Sequence, residues 1–187
     1  MDPLGESFPH VLDAAREGSG WAFEQLFRSL AVPAAGYLRA QGLADPDGGV
    51  NEVFLRVFRS LGTFEGAEDK FRSWVFTIAH RKAIDHYRVA SRERPVADVE
   101  RAVDRMNSAP PADAGLTVGA RDSAIWAAVA ELPPGQRAAV VLRFVADLRY
   151  REVGKALGTS EEAARRNVHE GLKKLRKSAA ELKEMTT

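Results

Sequence analysis

The sequence of 187 residues contains no cysteine, which excludes a disulfide scaffold, a cysteine nucleophile and a thiolate metal site. It has only four histidines, and none has the spacing of an H-x-x-x-H or H-E-x-x-H pair, so we expect neither a zinc hydrolase nor another metal site or cofactor. No apolar run approaches about 20 residues, so no membrane insertion is expected. The first residues lack the basic-then-apolar order of a signal peptide, and we expect a cytoplasmic protein.

The formal net charge is small, +1, but the charge is unevenly distributed along the chain. Residues 1–70 sum to −5, residues 71–94 to +4, residues 95–118 to −2 and residues 119–187 to +4. Two separated basic segments are typical of a protein that contacts a polyanion at two places. Two solvated helix faces would give the same pattern, so charge alone does not decide.

Helical periodicity dominates the sequence, and strand patterns are nearly absent. The clearest amphipathic helix carries apolar residues at spacings of three and four between Val50 and Leu61. Loops are expected at 44–49 and 63–70, and Pro33 is expected to interrupt or kink a helix. Residues 92–118 contain three prolines and no sustained apolar period, which indicates a linker. The sequence therefore predicts an all-α protein with two small helical domains, 8–91 and 119–180, joined by a flexible linker at 92–118.

The most informative stretch lies in the second predicted domain. A short helix at 150–157, a Gly-Thr-Ser turn and a long basic helix have helix-turn-helix spacing. The outer face of the second helix presents Arg165, Arg166 and His169, and arginine can bind guanine O6 and N7 with two hydrogen bonds. A structural pair of helices with a solvated face remains the alternative.

A second stretch, 71–88, interleaves aromatic residues and cations after a polar loop. Aromatic rings stack on unpaired bases, and cations bind the phosphates of a single strand. We expect Trp74 and Phe76 to belong to the core, and the cations and the preceding loop to contact nucleic acid.

Several motifs in the same order resemble the extracytoplasmic-function group of bacterial RNA polymerase sigma factors. Asn51-Glu-Val-Phe-Leu-Arg-Val-Phe58 is similar to the family's polymerase-binding helix, and the segment from Phe71 to Arg88 to its −10 reading helix. Leu132-Pro-Pro-Gly-Gln-Arg137, Leu142-Arg-Phe144, Tyr150-Arg-Glu-Val153 and Ala156-Leu-Gly158 resemble its −35 reading domain. The resemblance covers nearly all of the chain.

The resemblance implies a sigma factor without catalytic activity, whose partners are core RNA polymerase, promoter DNA and, as a candidate, an anti-sigma factor. The implied polymerase-binding residues are Asn51, Glu52, Leu55 and Arg56. The implied −10 residues are Phe64, Glu65, Asp69, Lys70, Arg81, Lys82, Asp85 and Arg88. The implied −35 residues are Arg149, Tyr150, Ser160, Glu161, Arg165, Arg166, His169 and Lys173.

Three departures from the family pattern stand out. Gly48-Gly49 replaces residues that favour the start of the polymerase-binding helix, Arg81 replaces a common asparagine, and Glu170 replaces a common basic residue. Two other functions remain as alternatives. A freestanding helix-turn-helix regulator would explain only the second domain. An enzyme using Asp85 with His80 or His86 is disfavoured, because adjacent residues on a helix do not face one another.

Overall fold

The computed structural model describes residues 4–92 and 120–184, and every regular element in these two ranges is helical. The α-helices are α1 (Phe8–Arg16), α2 (Gly20–Ala40), α3 (Pro46–Arg59), α4 (Glu68–Arg92), α5 (Ala120–Ala130), α6 (Pro134–Phe144), α7 (Tyr150–Leu157) and α8 (Glu161–Glu184); Gly5–Ser7 and Leu61–Thr63 are 3₁₀ turns. The prediction of an all-α protein is confirmed. Apart from its first residue, the predicted linker lies outside the described residues.

The first domain is a bundle of α1 to α4 around an aromatic core. Phe54 of α3 and Phe76 of α4 are fully buried with Leu26 of α2. Phe71 at the start of α4 contacts both Phe8 of α1, with ring centroids 5.5 Å apart, and Phe64 of the preceding loop. Because large rings remove much apolar surface from water, these contacts fix how the four helices pack.

Helix α3 begins at Pro46, although a loop was predicted through Gly49. The Asp45 carboxylate accepts a hydrogen bond from the Gly48 backbone N–H at 2.8 Å, and proline occupies the first turn. A Cβ atom on Gly49 would lie 2.9 Å from Leu38 Cδ1, so this buried position accepts no larger residue without rearrangement. The glycine pair therefore fits a capped helix start, and the predicted loop is wrong over these residues.

Pro33 does not interrupt α2, which is helical from Gly20 to Ala40. Proline removes one backbone hydrogen bond from a helix interior and usually bends or breaks it. Here Pro33 is buried together with Leu30 and Ala34, so the packing of this helix face offsets the lost bond.

The second domain comprises α5 to α8, and α8 packs against both α6 and α7. Val153 and Ala156 of α7 are buried against the face of α8 that carries Ala164 and Val168. Gly158 ends α7 with a left-handed φ of 65°, a conformation that favours glycine. The predicted helix-turn-helix is therefore present.

The two domains pack against each other through α4 with α7 and α2 with α6. Arg72 Nη2 donates to the Ala146 carbonyl at 2.8 Å, and Ser73 Oγ lies 3.4 Å from the Glu152 carbonyl. In the other direction, buried Arg137 of α6 reaches the Ala40 carbonyl at the end of α2, at 3.4 Å. The three contacts share one arrangement, in which a side chain of one domain donates to the backbone of the other.

Candidate nucleic-acid and protein interfaces

The outer face of α8 is the strongest candidate for contact with double-stranded DNA. Arg165, Arg166 and His169 are all exposed and, with Glu161 and Glu162, line one open depression. The opposite face of the helix is buried against α6 and α7. A helix held in this way by its helix-turn-helix partner can enter a major groove with its exposed side chains.

Arg165 is oriented by two neighbours. Its guanidinium lies 5.1 Å from the ring centroid of Tyr150, and its Nη2 atom is 3.3 Å from Glu161 Oε1. Arg143 approaches the same ring, with its guanidinium 5.7 Å from the centroid. Because cation–π contacts and short-range ion pairs restrict a long side chain, Arg165 is partly ordered before any DNA is bound.

The other predicted −35 residues lie on or near the same surface. Arg149, Ser160, Glu161 and Lys173 are exposed, and Tyr150 is half-buried. Ser160 also caps α8, because its Oγ accepts a hydrogen bond from the Ala163 N–H at 3.1 Å. Glu161 is adjacent to the cationic face, and its carboxylate forms an ion pair with Arg165.

Three predicted −10 residues are exposed, as a nucleic-acid contact requires: Glu65 in the loop between α3 and α4, and Asp69 and Lys70 in the first turn of α4. The loop predicted at 63–70 is wrong over its last three residues, because α4 already begins at Glu68. Phe64 differs, because its side chain is only 8% exposed and stacks on Trp74 with ring centroids 5.1 Å apart. The expected DNA contact of Phe64 is therefore corrected to a core position that anchors the loop. The predictions of Phe76 as a core residue and of Trp74 as packed against the core agree with the structure.

The cationic helix α4 continues this surface beyond the loop. Arg81 and Asp85 are exposed on it, whereas Lys82 is half-buried and forms an ion pair with Glu52 of α3. The side chain of Arg88 lies outside the described residues. The Lys82–Glu52 pair places the predicted polymerase-binding and −10 residues side by side.

The exposed face of helix α3 carries the residues predicted to bind polymerase. The four predicted polymerase-binding residues are exposed: Asn51, Glu52, Leu55 and Arg56. Its opposite face buries Val53, Phe54 and Val57. Leu55 is 51% exposed, so an apolar side chain stands among polar ones, as is usual at the centre of a protein interface.

The first domain also contains a polar pair, of buried Tyr37 and half-buried His80, that sequence analysis did not find. The Tyr37 hydroxyl and His80 Nδ1 are 2.7 Å apart. Burial lowers the pKa of His80, and burial together with Tyr87 raises the pKa of Tyr37. Both side chains are therefore neutral near pH 7, and the hydrogen bond joins α2 to α4 inside the domain.

Sequence analysis also did not find Arg16 and Glu68, which hold the exposed loop. Glu68 accepts hydrogen bonds from the backbone of Leu4 and Gly5, and Arg16 donates to the Phe64 carbonyl. The partners are 48 to 64 positions apart in the chain, so no local sequence motif predicts these contacts.

Among the described residues, no helix is long and apolar enough to span a membrane. Residues 4–92 and 120–184 likewise contain no group of three His, Asp or Glu side chains suited to hold a metal ion.

Two helical domains, the second carrying a helix-turn-helix with exposed arginines, define a class of DNA-binding protein, and comparison with known proteins identifies it. Residues 26–93 match the family model for Sigma-70 region 2, and residues 122–175 match that for Sigma-70, region 4. The chain belongs to the extracytoplasmic-function group of sigma-70 family RNA polymerase sigma factors, and it directs transcription initiation.

The similarity to curated relatives extends over most of the chain. It is 33% identical over 176 residues to the RNA polymerase sigma factor CarQ of Myxococcus xanthus, covering 91% of this chain and 97% of CarQ. It is 32% identical over 138 residues to the sigma factor SigX of Bacillus subtilis, covering 72% and 71%. It is 28% identical over 155 residues to BldN of Streptomyces coelicolor, covering 82% of this chain but only 58% of BldN.

The fold also has a counterpart among solved structures. CnrH, solved in complex with the cytosolic domain of CnrY, matches with a TM-score of 0.66 over 94% of this chain and 98% of CnrH. The two sequences are 23% identical, so the match supports the fold.

Proposed function

We propose that this chain binds core RNA polymerase through the exposed face of α3 and reads two promoter elements, −10 with its first domain and −35 with its second. It has no catalytic activity of its own, and it acts in the cytoplasm. An anti-sigma protein that covers the polymerase-binding surface is a candidate partner.

The observation that carries the proposal is the exposed cationic face of α8 on a packed helix-turn-helix. Arg165 and Arg166 have the chemistry to bind guanine edges in the major groove. Lys173, farther along the same helix, suits a phosphate contact, which positions a protein without reading sequence. The −35 assignment therefore divides into two base-reading arginines and one phosphate-binding lysine.

The −10 assignment rests on the exposed loop and the cations of α4. Removing a base from the stack costs a few kcal/mol, which contacts in the loop must offset. The exposed side chains of Glu65 and Asp69 offer carboxylate acceptors for such a base, and Arg81 offers a cation for the strand beside it. Lys82 lies on the same helix and pairs with Glu52 of the polymerase-binding face.

A freestanding helix-turn-helix regulator is the second candidate. It accounts for α7 and α8 but leaves the exposed residues of α3 and the loop before α4 without a role. Tight binding of promoter duplex by the isolated protein, equal with and without polymerase, would favour it.

The deciding experiment is run-off transcription with purified core polymerase, with and without this protein, on fragmented genomic DNA from the source organism. We expect new start sites that depend on the added protein, and sequencing of the transcripts would define the shared upstream elements. If core polymerase gains no start site, the proposal is wrong. A variant carrying Leu55→Asp in the α3 surface should lose both polymerase binding and initiation, whereas the same change at exposed Val32 of α2 is the matched control.

A further inference from the structure

The N-terminal segment contacts the exposed loop between α3 and α4 at two points. At one end of the loop, both carboxylate oxygens of Glu68 accept backbone N–H groups, from Leu4 at 2.9 Å and from Gly5 at 2.8 Å. At the other end, Arg16 of α1 donates to the carbonyl of Phe64. We call this pair of contacts the N-terminal brace. It fixes the loop from outside, at the residues on either side of its exposed tip.

The tip itself, residues 65–67, is exposed. Gly66 has a φ of 153°, and a Cβ atom there would lie 2.8 Å from Lys70 Cδ, so the turn depends on glycine. Between the tip and α1 lies an open cleft of about 510 Å³, whose walls include Phe8, Leu12 and Asp13 of α1. Helix α1 therefore forms one wall of the loop's cleft.

The Glu68 carboxylate and the Arg16 guanidinium are occupied by their partners in the brace, so they are not available for direct contact with DNA. The Glu68 oxygens are both occupied by backbone donors, and Arg16 is engaged with Phe64 and with Asp13, whose Oδ1 atom is 2.9 Å from Arg16 Nη1. A binding loop that is ordered before its ligand arrives avoids the entropy loss of ordering it afterwards. These residues can therefore act on DNA binding only through the shape of the loop.

We propose that Arg16 and Glu68 are positioning residues for reading the −10 element, and that α1 and the segment before it are part of that reading site. The inference rests on the proposed function of the loop, which it deepens. It extends the reading site to Leu4, Gly5 and Arg16, which precede the region matched by the Sigma-70 region 2 model, since that match begins at residue 26. The brace holds residues 65–67 against α1 in the form that accepts an unstacked base.

The competing explanation is that the brace stabilises the first domain and has no bearing on recognition. The two explanations predict different effects on promoter selectivity. A loss of stability lowers initiation from all promoters by the same factor, because it lowers the amount of folded protein. A loss of loop shape changes the preference among bases at one position of the −10 element and leaves the other positions alone.

The test uses holoenzyme reconstituted with the full chain and a promoter library in which the −10 element is randomised and the −35 element is kept. Two variants break the brace at opposite ends: Glu68→Gln, which keeps the size of the side chain, and Arg16→Met, which keeps its stem. Glu24→Gln and Arg28→Met are the matched controls, because Glu24 and Arg28 form an exposed ion pair on α2 of the same domain. Sequencing the transcripts gives the ratio between the best and worst base at each −10 position.

We expect both brace variants to lower this ratio at the same single position by about three- to tenfold, while the controls and the wild type agree within twofold. Thermal unfolding of each variant reports the folded fraction separately. Unchanged ratios at every −10 position, or an equal loss from all promoters, would overturn the inference. If the wild type itself initiates nowhere, the proposed function has failed rather than the brace, so the two failures are distinguishable.

Discussion

The two domains orient their candidate DNA-binding surfaces by different kinds of contact. In the second domain the contacts are short-range, since Arg165 pairs with Glu161 one helical turn before it and lies over Tyr150 within the same helix-turn-helix. In the first domain they are long-range, since Glu68 binds the backbone of Leu4 and Gly5. A surface held by short-range contacts needs only the two helices that carry those contacts to be folded. A surface held by long-range contacts requires that the entire domain be folded.

The relative position of the two domains in this structure also differs from the one that simultaneous binding of both promoter elements requires. The −10 and −35 elements are about 25 base pairs apart, which at about 3.4 Å per base pair is about 85 Å. A compact domain of this size is about 30 Å across, so two domains in contact cannot reach both elements. The 27 residues between Arg92 and Ala120 can span at most about 90 Å when fully extended, which is enough.

The largest predicted effect comes from preventing this separation. The chain has no cysteine, and a Cβ atom on Gly36 of α2 would lie 3.3 Å from Val145 Cγ1, so Gly36→Cys with Val145→Cys introduces one disulfide across the interface. The oxidised protein should lose about 10²-fold of its initiation at a promoter that requires both elements, because simultaneous binding is then impossible. Run-off transcription before and after dithiothreitol measures the loss and its recovery.

Val145→Cys alone, treated with the same oxidant, is the control for this experiment. Full activity of the oxidised double variant, with the disulfide confirmed by mass spectrometry, would show that the domains need not separate.

A smaller effect, confined to one domain, is expected from Arg165→Ala combined with Arg166→Ala. A bidentate arginine–guanine contact contributes at least about 1 kcal/mol, so the loss of two such contacts should lower initiation that depends on the −35 element about 30-fold. Binding to core polymerase, measured by co-purification, should not change, because the assigned polymerase surface lies on α3. Lys174→Ala with Arg176→Ala removes the same charge from the same helix and is the control. Loss of polymerase binding in the Arg165 and Arg166 variant would contradict the separation of roles.

The smallest predicted effect tests the short-range orientation of Arg165. Tyr150→Leu removes the ring beneath the guanidinium, and an exposed cation–π contact contributes about 0.5–1 kcal/mol, so −35-dependent initiation should fall about two- to fivefold. Tyr150→Phe keeps the ring and should retain most of the activity. Equal losses in the two variants would instead assign the effect to the Tyr150 hydroxyl and not to the ring.

The contrast between short-range and long-range contacts also explains which features could be predicted from the sequence. The helix-turn-helix was predictable from local signals, because Gly158 ends α7, Ser160 caps α8 and the buried positions of α8 recur at helical spacing. The exposed residues of α3 were predictable for the same reason. Each of these features is decided within a few residues of the chain.

The features that were missed or corrected depend on tertiary contacts. Phe64 follows a polar-loop pattern but is buried against Trp74, ten positions later, and Pro33 stays inside a helix whose face is packed. Gly49 is accepted inside a helix because Leu38 and Leu43 pack against its backbone and leave no space for a side chain. Arg16 and Glu68 meet partners at least 48 positions away. No periodicity or motif encodes such contacts in a single sequence.

The contacts between the domains have a further consequence for how such a protein can change over generations. Arg72 and Ser73 donate to the carbonyls of Ala146 and Glu152, and Arg137 donates to that of Ala40. A main-chain acceptor is present whatever side chain its residue carries. The second domain can therefore exchange its exposed residues, and with them its preferred DNA sequence, while these acceptors stay in place. The contact between the two domains and the preference for a DNA sequence can therefore evolve nearly independently of each other.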